Sequence, residues 1–258
     1  MKLKRLLLIF TIFVVLIGIN AASAMDSNNV LADDVGDSIV SSISNESIDS
    51  DGSILKIYDD SQMLSQRNVI ILDAEDNHNE MDDPTIQLAI NNANANDTII
   101  INGNSYVHCH FVVDKQLTII SNVSTSMTPC PSNTQGSGYR GIFYISPEAS
   151  GTVIEGFTIN NNMVSGENDY GVLIRGASDV IVRNCEIMSS ASADAIRIEN
   201  AENAIIENCT VNSLTNAIRI KNSQNTVVNN SVVKNSNIGV NLVESIQTVL
   251  TNNVITLN

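Results

Sequence analysis

The sequence predicts an all-β chain wound as a single-stranded parallel β-helix, a solenoid entered through a short N-terminal capping helix. Three observations predict it. Four strings align without a gap: Arg183-Asn184-Cys185-Glu186-Ile187, Glu207-Asn208-Cys209-Thr210-Val211, Asn229-Asn230-Ser231-Val232-Val233 and Thr251-Asn252-Asn253-Val254-Ile255. Their asparagines lie 24, 22 and 22 residues apart. A second series, Gly171-Val172-Leu173-Ile174, Ala195-Ile196-Arg197-Ile198, Ala217-Ile218-Arg219-Ile220 and Gly239-Val240-Asn241-Leu242, keeps the same spacing. Each unit also holds three β-branched runs divided by Asn, Ser and Gly, which suits three short strands per turn. A leucine-rich repeat of similar length would follow one strand with a helical return, and the glycine-rich nonapeptide of calcium-bound rolls is absent.

Composition agrees. Of 258 residues 43% are hydrophobic, yet Trp is absent and aromatics are 4%, so the core must be aliphatic. The net charge of −15 argues against a nucleic-acid partner, which needs a basic face.

In chain order, Lys2, Lys4 and Arg5 precede an uncharged apolar run over residues 6–19 and then Ala22-Ser23-Ala24, the pattern of a secretory signal over residues 1–24. The run is too short for an ordinary spanning helix, although retention as an N-terminal anchor is the alternative. Either way the body is expected outside the membrane, secreted or at the cell surface. Residues 25–83 carry 15 acidic side chains against Lys56 and Arg67 and read as a solvated, disordered leader. Its acidic cluster at 73–83 lacks the ligand spacing of an EF-hand loop.

Order is expected from Pro84. Ile86, Leu88, Ala89, Ile90 and Ala93 put their apolar side chains mostly on one side of a short helix whose first turn suits proline. β-rich runs follow at 98–101, 107–113 and 117–120, then an insertion at 121–139, with regular rungs from about residue 151 to 258. Alternation sends Thr152, Val180, Ala204, Thr226 and Thr248 inward, then Ile154, Val182, Ile206, Val228 and Leu250. After the corner, Phe157, Cys185, Cys209, Ser231 and Asn253 point in. Asn184, Asn208, Asn230 and Asn252 form a corner ladder, because Asn tolerates the left-handed conformation and its amide can bond to the rungs above and below. Val153, Ile181, Ile205, Val227 and Val249 are left outward, and such an apolar column predicts cover by the insertion or by another chain. The last rung stops part-way round, which predicts an open edge able to self-associate and suggests a truncated reading frame.

At these repeats the chain resembles right-handed parallel β-helix proteins of the pectate-lyase-like superfamily. The stretch from Ile86-Gln87-Leu88-Ala89-Ile90 through Val112-Val113-Asp114-Lys115 to Gly156-Phe157-Thr158-Ile159 is similar to the opening of archaeal adhesin-like surface proteins. That resemblance implies adhesion or glycan contact at a cell surface, with surface glycans or other surface proteins as partners; no cofactor is expected, and the case against catalysis rests on the residues themselves. The superfamily also implies the alternative, a polysaccharide lyase or glycoside hydrolase. Arg219-Ile220-Lys221 matches a tripeptide of polygalacturonase-like hydrolases, but the companion Asn-Thr-Asp, paired Asp and Gly-His-Gly motifs are missing. The acidic residues also fall in different columns, so no catalytic carboxylate pair can be read.

Three constellations remain. Arg197, Arg219 and Lys221 are ligand-contact candidates on adjacent rungs, with Glu199 and Glu207 expected close enough to neutralise them. His108 and His110 flank Cys109 and, on one strand, would project to one face as weak metal candidates. Cys185 and Cys209 hold equivalent positions in neighbouring rungs, as buried thiols or a disulfide.

Overall fold

The computed structural model describes residues 47–48, 54–58, 67–72, 84–129, 140–161, 169–189 and 193–257. Ser42–Asn258 is one compact unit, and Met1–Ser41 is counted as a second that lies outside the described residues. The expected signal segment at 1–24 and the acidic cluster at 73–83 also lie outside them.

The described chain winds through about six turns, each contributing a strand to sheet A, sheet B and sheet C in that order. In sheet A the parallel strands Val69–Leu72, Thr98–Ile101, Thr118–Ser121, Val153–Glu155, Ile181–Arg183, Ile205–Glu207, Val227–Asn229 and Val249–Thr251 stack in sequence. Sheet B runs from Ser105–Cys109 to Val254–Leu257, and sheet C from Phe111–Val113 to Ile238–Val243. Every rung-to-rung pairing is parallel, so strands equivalent in the repeat are neighbours in space.

The inward columns are those the alternation assigns. Ile154, Val182, Ile206 and Val228, then Ile159, Ile187, Val211 and Val233, are all fully buried. Like stacks on like at the ~4.8 Å strand spacing, and each buried Val or Ile contributes roughly 1.5–3 kcal/mol relative to exposure. The columns run out into solvent at Leu242, Leu250 and Ile255. All three phenylalanines outside the N-terminal apolar run meet inside the first turns: Phe143 lies 5.5 Å from Phe111 and 5.4 Å from Phe157, centroid to centroid.

Helix α1 (Pro84–Asn92) is present and buries Ile86, Ala89 and Ile90. Phe111–Val113 is the edge strand of sheet C, and the Gln87 side chain takes the place of a missing neighbour. Its amide donates to the Val112 carbonyl (3.1 Å), and its Oε1 accepts the Val112 N–H (2.8 Å). Lys115 Nζ donates to the carbonyls of Ile90, Asn91 and Ala93, the helix-end groups that lack intrahelical partners.

Two expectations about the N-terminal half need correction. Residues 25–83 are not wholly a leader without structure: Val69–Leu72 is a parallel strand of sheet A, and Ile54–Tyr58 and Ser47–Ile48 add to it antiparallel. The acidic average hid a run of four apolar residues with Ile70 and Leu72 in the core. The insertion at 121–139 contains a regular sheet B strand, Ser126–Pro129, so a full rung precedes residue 151. The rest of it from residue 130 to 139 lies outside the described residues, and with it the expected cover of the apolar column. Val153, Ile181, Ile205 and Val227 face outward on sheet A as expected, half-buried by their neighbours, and Val249 is 50% exposed.

The corners divide the asparagines. Asn184, Asn208, Asn230 and Asn252 all have φ between 50° and 55°, the left-handed region expected of them. Their side chains do not form the amide ladder, however; Asn184 donates instead to Glu155 Oε1 (2.8 Å). The ladder stands at the turn from sheet C to sheet A, where Asn222 donates to Asn200 (3.3 Å) and Asn225 to Asn203 (3.2 Å). These four are left-handed as well.

Candidate functional site

Sheet C carries the chemistry on its outer face because of an irregularity that recurs in each rung. Ala195 and Ile196 both lie in the core, as do Ala217 and Ile218 and also Ile142 and Phe143. A Cβ built on Gly171 would meet the Ile159 and Ile187 side chains, so Gly171 points inward as well as Val172. Two consecutive inward residues turn the preceding position outward. Tyr170, Asp194 and Asn216 therefore share the outer face with Leu173, Arg197, Arg219 and Asn241, and with Arg175, Glu199 and Lys221.

Arg197 is the hub. Its Nε donates to Glu199 Oε1 (2.6 Å) and a terminal nitrogen pairs with the same oxygen. Its other terminal nitrogen donates to the Tyr170 hydroxyl (2.7 Å) and lies 3.8 Å from Asp194 Oδ2, while the guanidinium sits 5.0 Å from the Tyr170 ring centroid. Glu199 also meets Arg175 at 3.8 Å. Asn216 donates to Asp194 Oδ1 (2.7 Å) and accepts from Asn241 (3.1 Å), which extends the network over four rungs. Burial pushes Tyr170 up to about 12, against the opposing pull of Arg197.

Arg219 pairs in register with Arg197 but has no carboxylate of its own among the described residues, and its Nε is buried without a hydrogen-bond partner. On the described side chains of this face, Arg175, Arg197, Arg219 and Lys221 stand against Asp194 and Glu199. A local excess of positive charge in a chain of net charge −15 is a place to receive an anion.

The structure thus brings Arg197, Arg219 and Lys221 together and adds Glu199 to them. Glu207 is not part of the set: it belongs to sheet A, in register with Arg183. Sequence reasoning missed Tyr170, Asp194 and Asn216, although their spacing of 24 and 22 residues is that of the corner asparagines.

Asp194 is 5% exposed, and burial raises its carboxyl above the ordinary value of 3.8, with the Asn216 and Arg197 contacts opposing the rise. A carboxyl raised on folding holds its proton more tightly in the folded state. Its favourable contribution is therefore present below the unfolded value and is lost as pH climbs through the folded one. Asp194→Asn keeps an acceptor for Asn216 and removes the titration. Thermal midpoints taken across a pH series should show the variant gaining on the wild type as pH rises above 3.8 toward neutrality. A constant difference at every pH would show that this carboxyl carries no such linkage.

The histidine expectation does not hold. His108 lies in the sheet B strand Ser105–Cys109, but the chain turns there, and His110 precedes the sheet C strand Phe111–Val113, so the two do not alternate along one strand. His110 Nδ1 is 2.9 Å from the Gly141 carbonyl, and no group of metal-ligating side chains occurs among the described residues. Cys185 and Cys209 stack on adjacent rungs, buried, as free thiols. Their mutual hydrogen bond, together with burial, raises Cys185 well above the usual thiol range.

Comparison with known proteins agrees with this architecture. The family model described as "Right handed beta helix region" matches residues 132–258. The chain is a right-handed parallel β-helix protein. A crystal structure described as a "putative glycosyl hydrolase" from Parabacteroides merdae ATCC 43184 resembles it with a TM-score of 0.55 at 17% identity, over 67% of this chain and 89% of that one. At that identity the likeness carries the fold alone. No curated protein matches the chain.

Proposed function

We propose that the protein is an exported, surface-acting β-helix that contacts acidic glycans through the outer face of sheet C, without catalysis. The carrying observation is Arg219, stacked on Arg197 with its Nε buried and unbonded while Glu199 is already held by Arg197 and Arg175. A carboxylate or sulfate on a sugar would give the Arg219 guanidinium the counter-ion it lacks, and Lys221 on the same rung would add a second contact. Export rests on the N-terminal charge and hydropathy pattern. The resemblance to adhesin-like surface proteins supports the same address, with surface glycans or other surface proteins as partners.

The rival reading, a polysaccharide-active enzyme, draws on one observation: Asp194 is a carboxyl whose burial favours its protonated form, as a general acid requires. Against it, Oδ1 is occupied by Asn216, Oδ2 faces Arg197 and the group is buried.

Binding of the full chain to an array of neutral and uronate-bearing or sulfated glycans, with product analysis of each incubation, separates the two. Acidic glycans should be retained intact, and Arg219→Ala should weaken retention about tenfold or more, a loss of about 1.4 kcal/mol or more. Cleaved products that vanish in Asp194→Asn would establish the enzyme instead.

A further inference from the structure

The turn from sheet C to sheet A holds an open groove of about 550 Å³, lined by polar side chains together with Ala201 and Ile246, that the reading above does not use. Its shape follows from the backbone. Asn200 and Asn203 in one rung, and Asn222 and Asn225 in the next, are left-handed three residues apart. Ala201 and Ser223 are buried there, while Glu202 and Gln224 stand along the groove beside Asn200 and Asn222. Ser178 and Glu244 extend the lining over four successive rungs. At the strand spacing this is roughly 14 Å of groove, with Asn200 over Asn222 and Glu202 over Gln224 in its two central rungs.

We propose that this groove is a second binding site, for a neutral oligosaccharide of about three pyranose units lying along the solenoid axis. The lining offers amide donors and acceptors, a hydroxyl and carboxylates, but no cation and no aromatic ring. Such a surface suits the many hydroxyls of a neutral sugar and repels an acidic one, the reverse of the sheet C face. The rung spacing is close to the length of one pyranose unit in an extended chain, so two successive units would meet Asn200 and Asn222, and a third the Glu244 carboxylate at the same position one rung on. A peptide strand is excluded as the occupant by the backbone pairing: Glu202, Gln224 and Ile246 are bridged to one another, with Gln224 N–H donating to Ala201 (3.0 Å) and Ile246 N–H to Ser223 (3.1 Å). Its donors and acceptors are spent within the coil, and no free edge remains there for a strand to join.

The test titrates the full chain with three neutral β-1,4-linked trisaccharides, of glucose, N-acetylglucosamine and mannose, and with trigalacturonate. At least one neutral trisaccharide should bind with a Kd in the range of about 0.1–1 mM. Asn222→Gly combined with Gln224→Ala should weaken that binding at least tenfold, glycine being chosen because it keeps the left-handed backbone at residue 222 (φ 48°). The same double variant should leave trigalacturonate binding unchanged, and Arg219→Ala should leave neutral sugar binding unchanged, so this site and the sheet C face can fail separately. Absence of binding by all three neutral sugars at about 10 mM would overturn the proposal. So would undiminished binding in the double variant, or loss of neutral binding in Arg219→Ala.

Discussion

Phe143→Ala is expected to destabilise the coil by about 3–5 kcal/mol, the range for emptying a buried aromatic site. Phe143 is 1% exposed and fills the middle of a three-ring stack, so the substitution removes the ring and its two tilted contacts, to Phe111 and Phe157. Aromatic pairs of this geometry are worth about 0.5–1.5 kcal/mol beyond the area they bury. The surroundings cannot collapse into the space, because Ile142, Ile145 and Val172 are fixed by strands paired on both sides. In a solenoid the loss falls on the neighbouring rungs, so the first turns should unfold before the later ones. Urea unfolding followed by circular dichroism should show an early transition in the variant, with Val123→Ala, at a 46% exposed site, as the control. A shift below about 1 kcal/mol would mean that the cluster is loosely packed and contributes little.

What the sequence made legible follows from what a repeat preserves. The interior columns were readable because every rung places a β-branched residue over its predecessor, so Ile154, Val182, Ile206 and Val228 announce one another at the period of the coil. Val69–Leu72 escaped because its four residues stand in an acidic stretch where composition outvotes pattern. The left-handed positions after sheet C escaped for a different reason: the conformation repeats while the residue does not, with Gly176, Asn200, Asn222 and Glu244 all at positive φ. Backbone geometry is what the coil requires there, and Asn is only its commonest solution.

The site was half legible. Arg197, Arg219 and Lys221 sit on the regular part of the strand, where alternation correctly puts them outside. Tyr170, Asp194 and Asn216 lie beyond the pair of consecutive inward residues, and a strict period of two carries them into the core. That irregularity is invisible to periodicity because Gly171, Ala195, Ala217 and Gly239 read as ordinary small strand residues. The same irregularity creates the site, since it alone brings Asp194 and Tyr170 round to the face that Arg197 occupies.

Gly156→Asn should be as damaging as a core substitution, although asparagine is what the next four rungs carry at the equivalent corner. Gly156 has a φ of 84°, which asparagine tolerates at modest cost, so the left-handed backbone is not the main obstacle. The obstacle is the rung below. A Cβ at residue 156 would lie closer than 3.0 Å to the Ser121 carbonyl oxygen. That carbonyl has little room to retreat. Ser121 Oγ accepts the N–H of Thr125 (2.7 Å) and donates to its hydroxyl (2.8 Å), and Thr125 in turn donates to the Gly103 carbonyl (2.6 Å). Both side chains are buried, so opening this corner exposes polar groups already satisfied in the core. Overpacking against a fixed backbone costs about 1–3 kcal/mol, and disturbing one buried hydrogen bond about 1 kcal/mol more. The reverse exchange one rung later, Asn184→Gly, keeps the left-handed corner and loses only the exposed bond to Glu155, so it should cost at most about 1 kcal/mol. The expected result is a midpoint for Gly156→Asn well below that of Asn184→Gly under the same conditions, with Gly156→Ala falling near the asparagine variant because the clash begins at Cβ. Equal stability of Gly156→Asn and Asn184→Gly would mean that the Ser121–Thr125 corner yields, and that glycine at residue 156 is not a packing requirement.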